Sequence, residues 1–464
     1  MHAIIVRIWP LFFGISLILV VNGLQGPLLS THAIKAGFGE RLTGLVMSGY
    51  FVGFMLGSMF IPRMIQSVGH IRVFAALASL TSAAFICFPH WVNPTFWFTL
   101  RLVIGVGLAG IYIISESWLN SVAKNEERGA IFSAYIMVQT SGIIFGQFLF
   151  SLHDESNTFL MFSAASVLIS LSFTPILLTK IAAPVVSLQK SMTIRQLLQI
   201  SPLGVVGMFV TGSIFGGTNS MGAIYGSQEG FSNSQIGVFL GMLTLGGFVF
   251  QIPFSRITDR TNQRNIIVLL SVVGAVASWV VNYFHSYIAI LVCVFIIGGA
   301  SYTLYSVITT HVNNYLDKNS ILAASSGLIL VNGIGAILGP ITIGIAMYHY
   351  DHKMYFYVLS FFFFLITLYS LYRTYKRPLV IAAEKSSRKL FRTRGVQNFN
   401  ALMGPRTTPI SAQIVLETQI SNRKEDETAQ SSQIYDSQER DILSESESDT
   451  DTDTDTEHQT SNEQ

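Results

Sequence analysis

The chain has 464 residues, half of them hydrophobic and only 12% Asp, Glu, Lys or Arg. Soluble globular proteins carry about 25% charged residues, so this composition excludes an ordinary water-soluble domain and points to a membrane protein. The net charge of +2 conceals an asymmetry: from Glu417 onward 15 acidic residues face three basic ones (Arg423, Lys424, Arg440), leaving a basic body that gives no support to nucleic-acid binding.

About 20 apolar residues cross a bilayer as a helix. Such runs fall near 8–30, 42–65, 73–89, 95–119, 129–151 and 158–179. The first reads as a retained helix, because no small-residue cleavage site follows it. The segment 180–201, with Pro184, Lys190 and Arg195, reads as a linker between two halves. A second set of runs follows near 203–226, 236–254, 266–284, 287–310, 322–347 and 354–373. Beyond Arg373 a basic stretch gives way to a Ser/Thr/Asp/Glu-rich end, SESESDTDTDTDTE, which cannot bury enough apolar surface to fold and reads as disordered. The fold expected is an all-α membrane protein with twelve transmembrane helices in two six-helix halves. Its parts are an N-terminal bundle (1–179), a cytoplasmic linker (180–201), a C-terminal bundle (202–375) and a cytoplasmic tail (376–464).

Basic residues set the orientation. With the N-terminus inside, the cytoplasmic segments hold Arg7, Arg63, Arg72, Lys124, Arg128, Lys180, Lys190, Arg195, Arg256, Arg260, Arg264 and Lys318, against Lys35, Arg41 and Lys353 outside. That bias places both termini in the cytoplasm and suggests the plasma membrane. Cys87 and Cys293 lie in apolar runs, with neither disulfide nor metal-ligand spacing.

The second half repeats the first at an offset of 193 residues. Phe38 and Gly44 fall on Phe231 and Gly237, and Gly105, Tyr112 and Asn120 fall on Gly298, Tyr305 and Asn313. Gly142 and Gly146 fall on Gly335 and Gly339. Repeats of this kind build transporters that bind a small molecule near the bilayer midplane and rock one half against the other.

The segment SRITDRTNQR (Ser255–Arg264) resembles the loop signature G-x-L-x-D-R-x-G-x-R of the major facilitator superfamily: Ile257, Asp259, Arg260 and Arg264 match, while Ser255 and Asn262 replace glycines. Its first-half counterpart, PRMIQSVGHIR, keeps Gly69 and Arg72 but has Gln66 in place of Asp. RLVIGVGLAG (Arg101–Gly110) is similar to the family's R-x-x-x-G-x-G motif, and Arg128-Gly129 opens the fifth span as in many members. Gly335 and Gly339-Pro340 look like the family's antiporter signature, which is weaker in the first half, where Gln147 follows Gly146. IYIISESWLN and GYFVGFMLGS are more specifically similar to the YcaD-like branch. The resemblance covers about residues 7–375 and implies a secondary transporter working as a monomer.

Ionisable groups within spans are functional candidates by default. Arg101 is the clearest, and the resemblance places it in the cavity, linked to proton coupling or an anionic substrate. Its bland alternative is a structural ion pair. Glu116 lies 15 residues further, about 22 Å along a helix and about 60° around it. It reads as an inner-gate group paired with Arg72 or Arg128, with proton carriage as the rival. His311 is a proton-coupling candidate because histidine is the side chain that ordinarily exchanges protons near neutral pH, though a histidine at a helix end is commonly just solvated. Asn22, Gln25, Tyr112, Asn219 and Tyr305 are pathway candidates, with helix-to-helix hydrogen bonding as the alternative. By resemblance, Gly69, Arg72, Arg128, Asp259, Arg260 and Arg264 form a cytoplasmic gate. There is no nucleotide-binding loop, metal-ligand cluster or nucleophile with base and orienter, so neither cofactor nor enzymatic activity is expected. Protons are a candidate coupling ion. The competing class is a membrane sensor or scaffold signalling through the acidic tail.

Overall fold

The computed structural model describes residues 2–122, 128–152, 158–177, 192–316 and 320–376. The first half comprises α1 (His2–Lys35), α2 (Gly39–Val68), α3 (His70–Cys87), α4 (Pro94–Val122), α5 (Arg128–Phe150) and α6 (Thr158–Leu177). A short helix, α7 (Ile194–Ile200), precedes α8 (Pro202–Gln228), α9 (Asn233–Arg260), α10 (Gln263–Val280), α11 (Tyr287–Asn313), α12 (Ile321–His349) and α13 (Met354–Lys376). The tail beyond Lys376, and most of the expected linker, lie outside the described residues.

Eleven of the twelve long helices are both long and apolar enough to cross a membrane. The exception is α8, 27 residues long, which carries seven glycines together with Thr211, Thr218, Asn219 and Ser220. Nearly all of it is buried against other helices. A helix sheathed by protein needs no lipid-compatible surface, and its hydroxyls turn back onto their own backbone: Thr211 donates to the Gly207 carbonyl and Thr218 to that of Ile214.

Two sequence expectations change. The SRITDRTNQR segment is not a loop: α9 stays helical through Arg260, and α10 begins after a two-residue break capped by Asn262, whose Oδ1 accepts from the Arg264 amide at 3.2 Å. In the first half the break is Gly69 alone, at φ +94°, a conformation that glycine adopts without strain. The linker also contains helix. A capping box between Thr193 and Gln196 starts α7, and the Met192 amide bonds the Ala323 carbonyl on α12 at 2.9 Å.

The 193-residue repeat is a repeat of contacts. A Cβ at Gly53 would overlap the Leu102 carbonyl, and one at Gly246 would overlap Phe295, the residue 193 beyond Leu102. Likewise Gly105 rests on Tyr50 and Gly298 on Leu243, Gly23 on Ile143 and Gly216 on Ala336, Gly146 on Val20 and Gly339 on Ser213. Each half is thus built from the same backbone-to-backbone approaches, the packing that lipid-embedded helices use where burial from water supplies no drive. Gly53→Leu or Gly246→Leu is expected to cost about 3 kcal/mol or more, above the usual range for overpacking because the obstacle is backbone. The check is loss of the monodisperse peak after detergent extraction.

The halves meet by the same symmetry. The turns after α1, α3, α5, α8, α10 and α12 form one end of the bundle, here called the far end; the chain enters and leaves at the other, terminal end. At the far end Gly44 packs on the Pro340 carbonyl, and a Cβ added to it would lie 3.4 Å from the Cα of Gly344. Gly237 packs on Gln147 and Ser151, the residues 193 before Pro340 and Gly344. Gln228 donates to Glu40 across the junction, and Gln147 Nε2 donates to Thr244 Oγ1 at 3.1 Å. Along the seam between α2 and α12 remains a cavity of about 30 Å³, lined by Phe51, Phe54, Phe215 and Asn332 among others. That holds about two waters, so the seam is nearly closed in this state.

Candidate functional site

Arg101 is buried in α4, 3% exposed. Its Nη1 donates to Gln25 Oε1 on α1 at 2.9 Å and its Nη2 to the Met47 carbonyl on α2 at 3.3 Å. The guanidinium carbon stands 4.9 Å from the centroid of the Tyr50 ring, a cation–π contact. From Gln25 the network continues: Gln25 Nε2 donates to Asn22 Oδ1 at 2.6 Å, and Asn22 Nδ2 to the Tyr112 hydroxyl at 3.2 Å. Four residues picked from sequence (Asn22, Gln25, Arg101, Tyr112) therefore form one chain of hydrogen bonds. Tyr50 joins it unforeseen, its hydroxyl 3.5 Å from Asn22 Oδ1, at the limit of a hydrogen bond. The Arg101 Nε has no partner, and no carboxylate among the described residues pairs with this buried cation.

The repeat separates scaffold from machinery here. The packing glycines recur at the offset, but of the polar network only Tyr112 does, as Tyr305. Asn22 corresponds to Phe215, Gln25 to Thr218, Tyr50 to Leu243, Arg101 to Val294 and Glu116 to Thr309. A fold that builds its second half without these groups does not require them for packing.

The second half has a different, uncharged cluster. The Tyr302 hydroxyl is hydrogen-bonded by the side chains of Asn219 and Thr244, and Thr244 bonds Gln147 across the halves. Asn219 also donates to the Phe215 carbonyl at 2.9 Å. Of the sequence candidates Asn219 lies here, and Tyr305 is buried in α11. Gln147, Thr244 and Tyr302 are neutral residues of a kind common in packed helices, so nothing local marked them.

Glu116 departs from its expected place. It is 8% exposed, its Oε1 has no hydrogen-bond partner, and no cation among the described residues pairs with it; the Arg128 side chain of the expected gate lies outside the described residues. Arg72 is exposed. The carboxyl turns inward, close enough to Tyr112 and Tyr135 to act on both electrostatically. The hydroxyl of Ser115, the preceding residue, is also buried without a partner, which is unusual, since buried polar groups are nearly always paired.

At the terminal end His311 is buried rather than solvated, packed edge-on against Tyr315 at 5.2 Å. Arg264 is buried too, and its Nη2 donates to the Tyr315 hydroxyl at 3.1 Å, a bond within its own half. His70, which follows the Gly69 break, contacts Ser117 Oγ at 3.2 Å and stacks on Trp118. The side chains of Arg128, Asp259 and Arg260 lie outside the described residues. Metal-binding groups of three or more His, Cys, Asp or Glu are absent among the described residues.

Comparison with known proteins agrees with this architecture. The family model described as Major Facilitator Superfamily matches residues 11–326 and 205–416. The MFS-type transporter YcaD of Escherichia fergusonii is 27% identical over 324 residues, 68% of this chain and 82% of that protein. YcaD of Salmonella typhimurium is 24% identical over 356 residues, 75% of this chain and 91% of the relative. Among solved structures, the nucleoside transporter NupG superposes with a TM-score of 0.61 at 16% identity, covering 79% of this chain and 99% of NupG. The human organic anion transporter MFSD10 gives 0.56 at 14%, covering 78% and 98%.

Proposed function

Because the chain belongs to the Major Facilitator Superfamily, we propose that it is a secondary transporter moving a small organic anion by alternating access, with Arg101 as the anchor for the charge. The observation that carries this reading is a buried guanidinium with an unpartnered Nε, in a network whose members Asn22, Gln25 and Tyr50 have no counterpart in the other half. A buried cation without a counter-ion is costly, and an anionic ligand removes that cost. The closed far-end seam and the collapsed cavity beneath it fit one state of a rocking cycle. The test is exchange of radiolabelled anions across proteoliposomes holding purified protein. Absence of exchange for every anion in a broad panel, with the protein folded, would remove the reading.

Protons are the proposed coupling ion and Glu116 their carrier. A buried carboxyl group with an unpartnered oxygen, beside the Tyr112 and Tyr135 rings, suits a group that takes up a proton in one state and releases it in another. Glu116→Gln is expected to abolish accumulation driven by a pH gradient, at least tenfold, while exchange down a solute gradient continues. Unchanged accumulation would exclude Glu116 as the carrier.

The direction proposed is export, from the Gly335 and Gly339-Pro340 pattern. Its glycines also seat α12 on α8, against Phe209 and Ser213. Gradients of either sign therefore test direction separately. The twelve-to-three bias of basic residues supports cytoplasmic termini in the plasma membrane. The sensor alternative rests on the acidic tail alone: truncation after Lys376 should spare transport and would abolish a signalling role.

A further inference from the structure

We propose that the transported anion is a planar aromatic carboxylate, its ring held in the seam between Phe51 and Phe215 and its carboxylate on Arg101. This rests on the transporter reading and names the substrate class of that site.

The argument begins with a ladder of rings. Tyr112 and Phe54 lie 6.2 Å apart between centroids, Phe54 and Tyr50 6.0 Å, and Tyr50 and Phe51 5.1 Å. Phe51 and Phe215 lie 6.2 Å apart at 72°, and Phe215 and Tyr302 5.7 Å apart at 89°. All five steps fall in the range that aromatic pairs favour. The Phe51–Phe215 step differs from the others because it joins the two halves, and both rings line the cavity between α2 and α12. Rocking the halves apart must break it. A flat aromatic ring entering there restores an aromatic contact on each side, whereas an aliphatic chain of equal size restores burial alone.

Charge selects the rest of the molecule. Phe51 adjoins Tyr50, and Tyr50 covers Arg101 at 4.9 Å, so a carboxylate on a short arm reaches the guanidinium while its ring rests on Phe51. The side chain in the way, Tyr50, has a single long hydrogen bond, 3.5 Å to Asn22 Oδ1, so its displacement by the ligand breaks ring and cation–π contacts that an aromatic carboxylate replaces. On the far side of the ring gap the Tyr302, Asn219 and Thr244 cluster offers neutral hydrogen-bonding groups. With one cation at the site, a monoanion fits and a dianion does not.

Phenylacetate, hexanoate and phenylacetamide separate these features. Binding is read as the shift in melting temperature of purified full-length protein and, independently, by tryptophan fluorescence. The expected result is phenylacetate binding at least tenfold tighter than hexanoate and phenylacetamide, with the preference over hexanoate lost in Phe51→Leu and Phe215→Leu. Equal binding of phenylacetate and hexanoate would overturn the aromatic part, and binding of phenylacetamide as tight as phenylacetate would overturn the anionic part. No binding of phenylacetate at all overturns the proposal outright. Failure of the transporter reading shows separately: labels at Leu42→Cys and Tyr348→Cys, both exposed at the far end, would keep one fixed distance across pH and ligand if the halves never rock.

Discussion

Arg101→Gln is expected to lower transport at least thirtyfold while leaving the protein folded. The fold tolerates the change because glutamine still donates to one of the two acceptors, Gln25 Oε1 and the Met47 carbonyl, that Arg101 now serves. One buried acceptor left unpaired costs about 1–3 kcal/mol. The anion loses more. Truncating one partner of a buried hydrogen-bonded charge pair costs about 2–5 kcal/mol, which corresponds to a factor between roughly thirty and several thousand. Arg101→Lys should fall between the parent and the glutamine variant, since it keeps the charge but not the fork that holds Gln25 and Met47 together. Initial rates in proteoliposomes, alongside melting temperatures, separate the two losses. A glutamine variant that melts several degrees lower yet transports at the parental rate would make Arg101 a helix-packing residue and leave the anion site elsewhere.

The sequence and the structure agree where the signal is local and periodic. Apolar length marked eleven of the spans; α8, with its Thr and Gly residues, falls short of that measure and is legible instead as the counterpart of α1 in the repeat. The constant offset exposed the repeat, because insertions have not disturbed it. Asn22, Gln25, Arg101 and Tyr112 stood out as polar groups in apolar runs, and they meet because α1 and α4 carry them at matching depths. Tyr50 did not stand out, since a tyrosine in an apolar span is unremarkable by itself. Its replacement by Leu243 at the offset was the available clue, and the same comparison points to Glu116, which Thr309 replaces. Glu116 stood out as a carboxylate within a span, and its nearness to the end of α4 suggested Arg72 and Arg128. Arg72 is exposed, and the direction of Glu116 around the helix brings it near Tyr112 and Tyr135, neighbours that chain position did not suggest. Direction depends on how helices are rotated against one another, and that is set by tertiary packing. The same reason hid the burial of His311 and the pairing of Gln147 with Thr244 across the halves.

Gly44→Leu is expected to hold the far end open and stop transport without unfolding the chain, in contrast to Gly53→Leu. The difference lies in which half the missing side chain would strike. Gly53 touches Leu102 in its own half, so a larger residue disrupts the bundle that contains it. Gly44 touches Pro340 and Gly344, which belong to the other half, and a larger residue there is relieved by parting the halves. Overpacking strain of about 1–3 kcal/mol, present only when the seam is shut, shifts the balance between shut and open by roughly 5- to 150-fold. Thr244, fully buried at the two-fold-related α5–α9 junction where it bonds Gln147, reports the parting of the halves. In a protein with Cys87 and Cys293 replaced by serine, Thr244→Cys should react with an impermeant thiol reagent far faster once Gly44→Leu is added. The two-fold relation between the halves makes a second demand: Gly237→Leu, which strikes Gln147 and Ser151, should produce the same opening. If Gly44→Leu leaves Thr244→Cys protected and transport intact, the α2–α12 contact is permanent packing and the halves do not part there. If only one of the two glycines acts, the halves hinge about the other junction rather than rocking symmetrically.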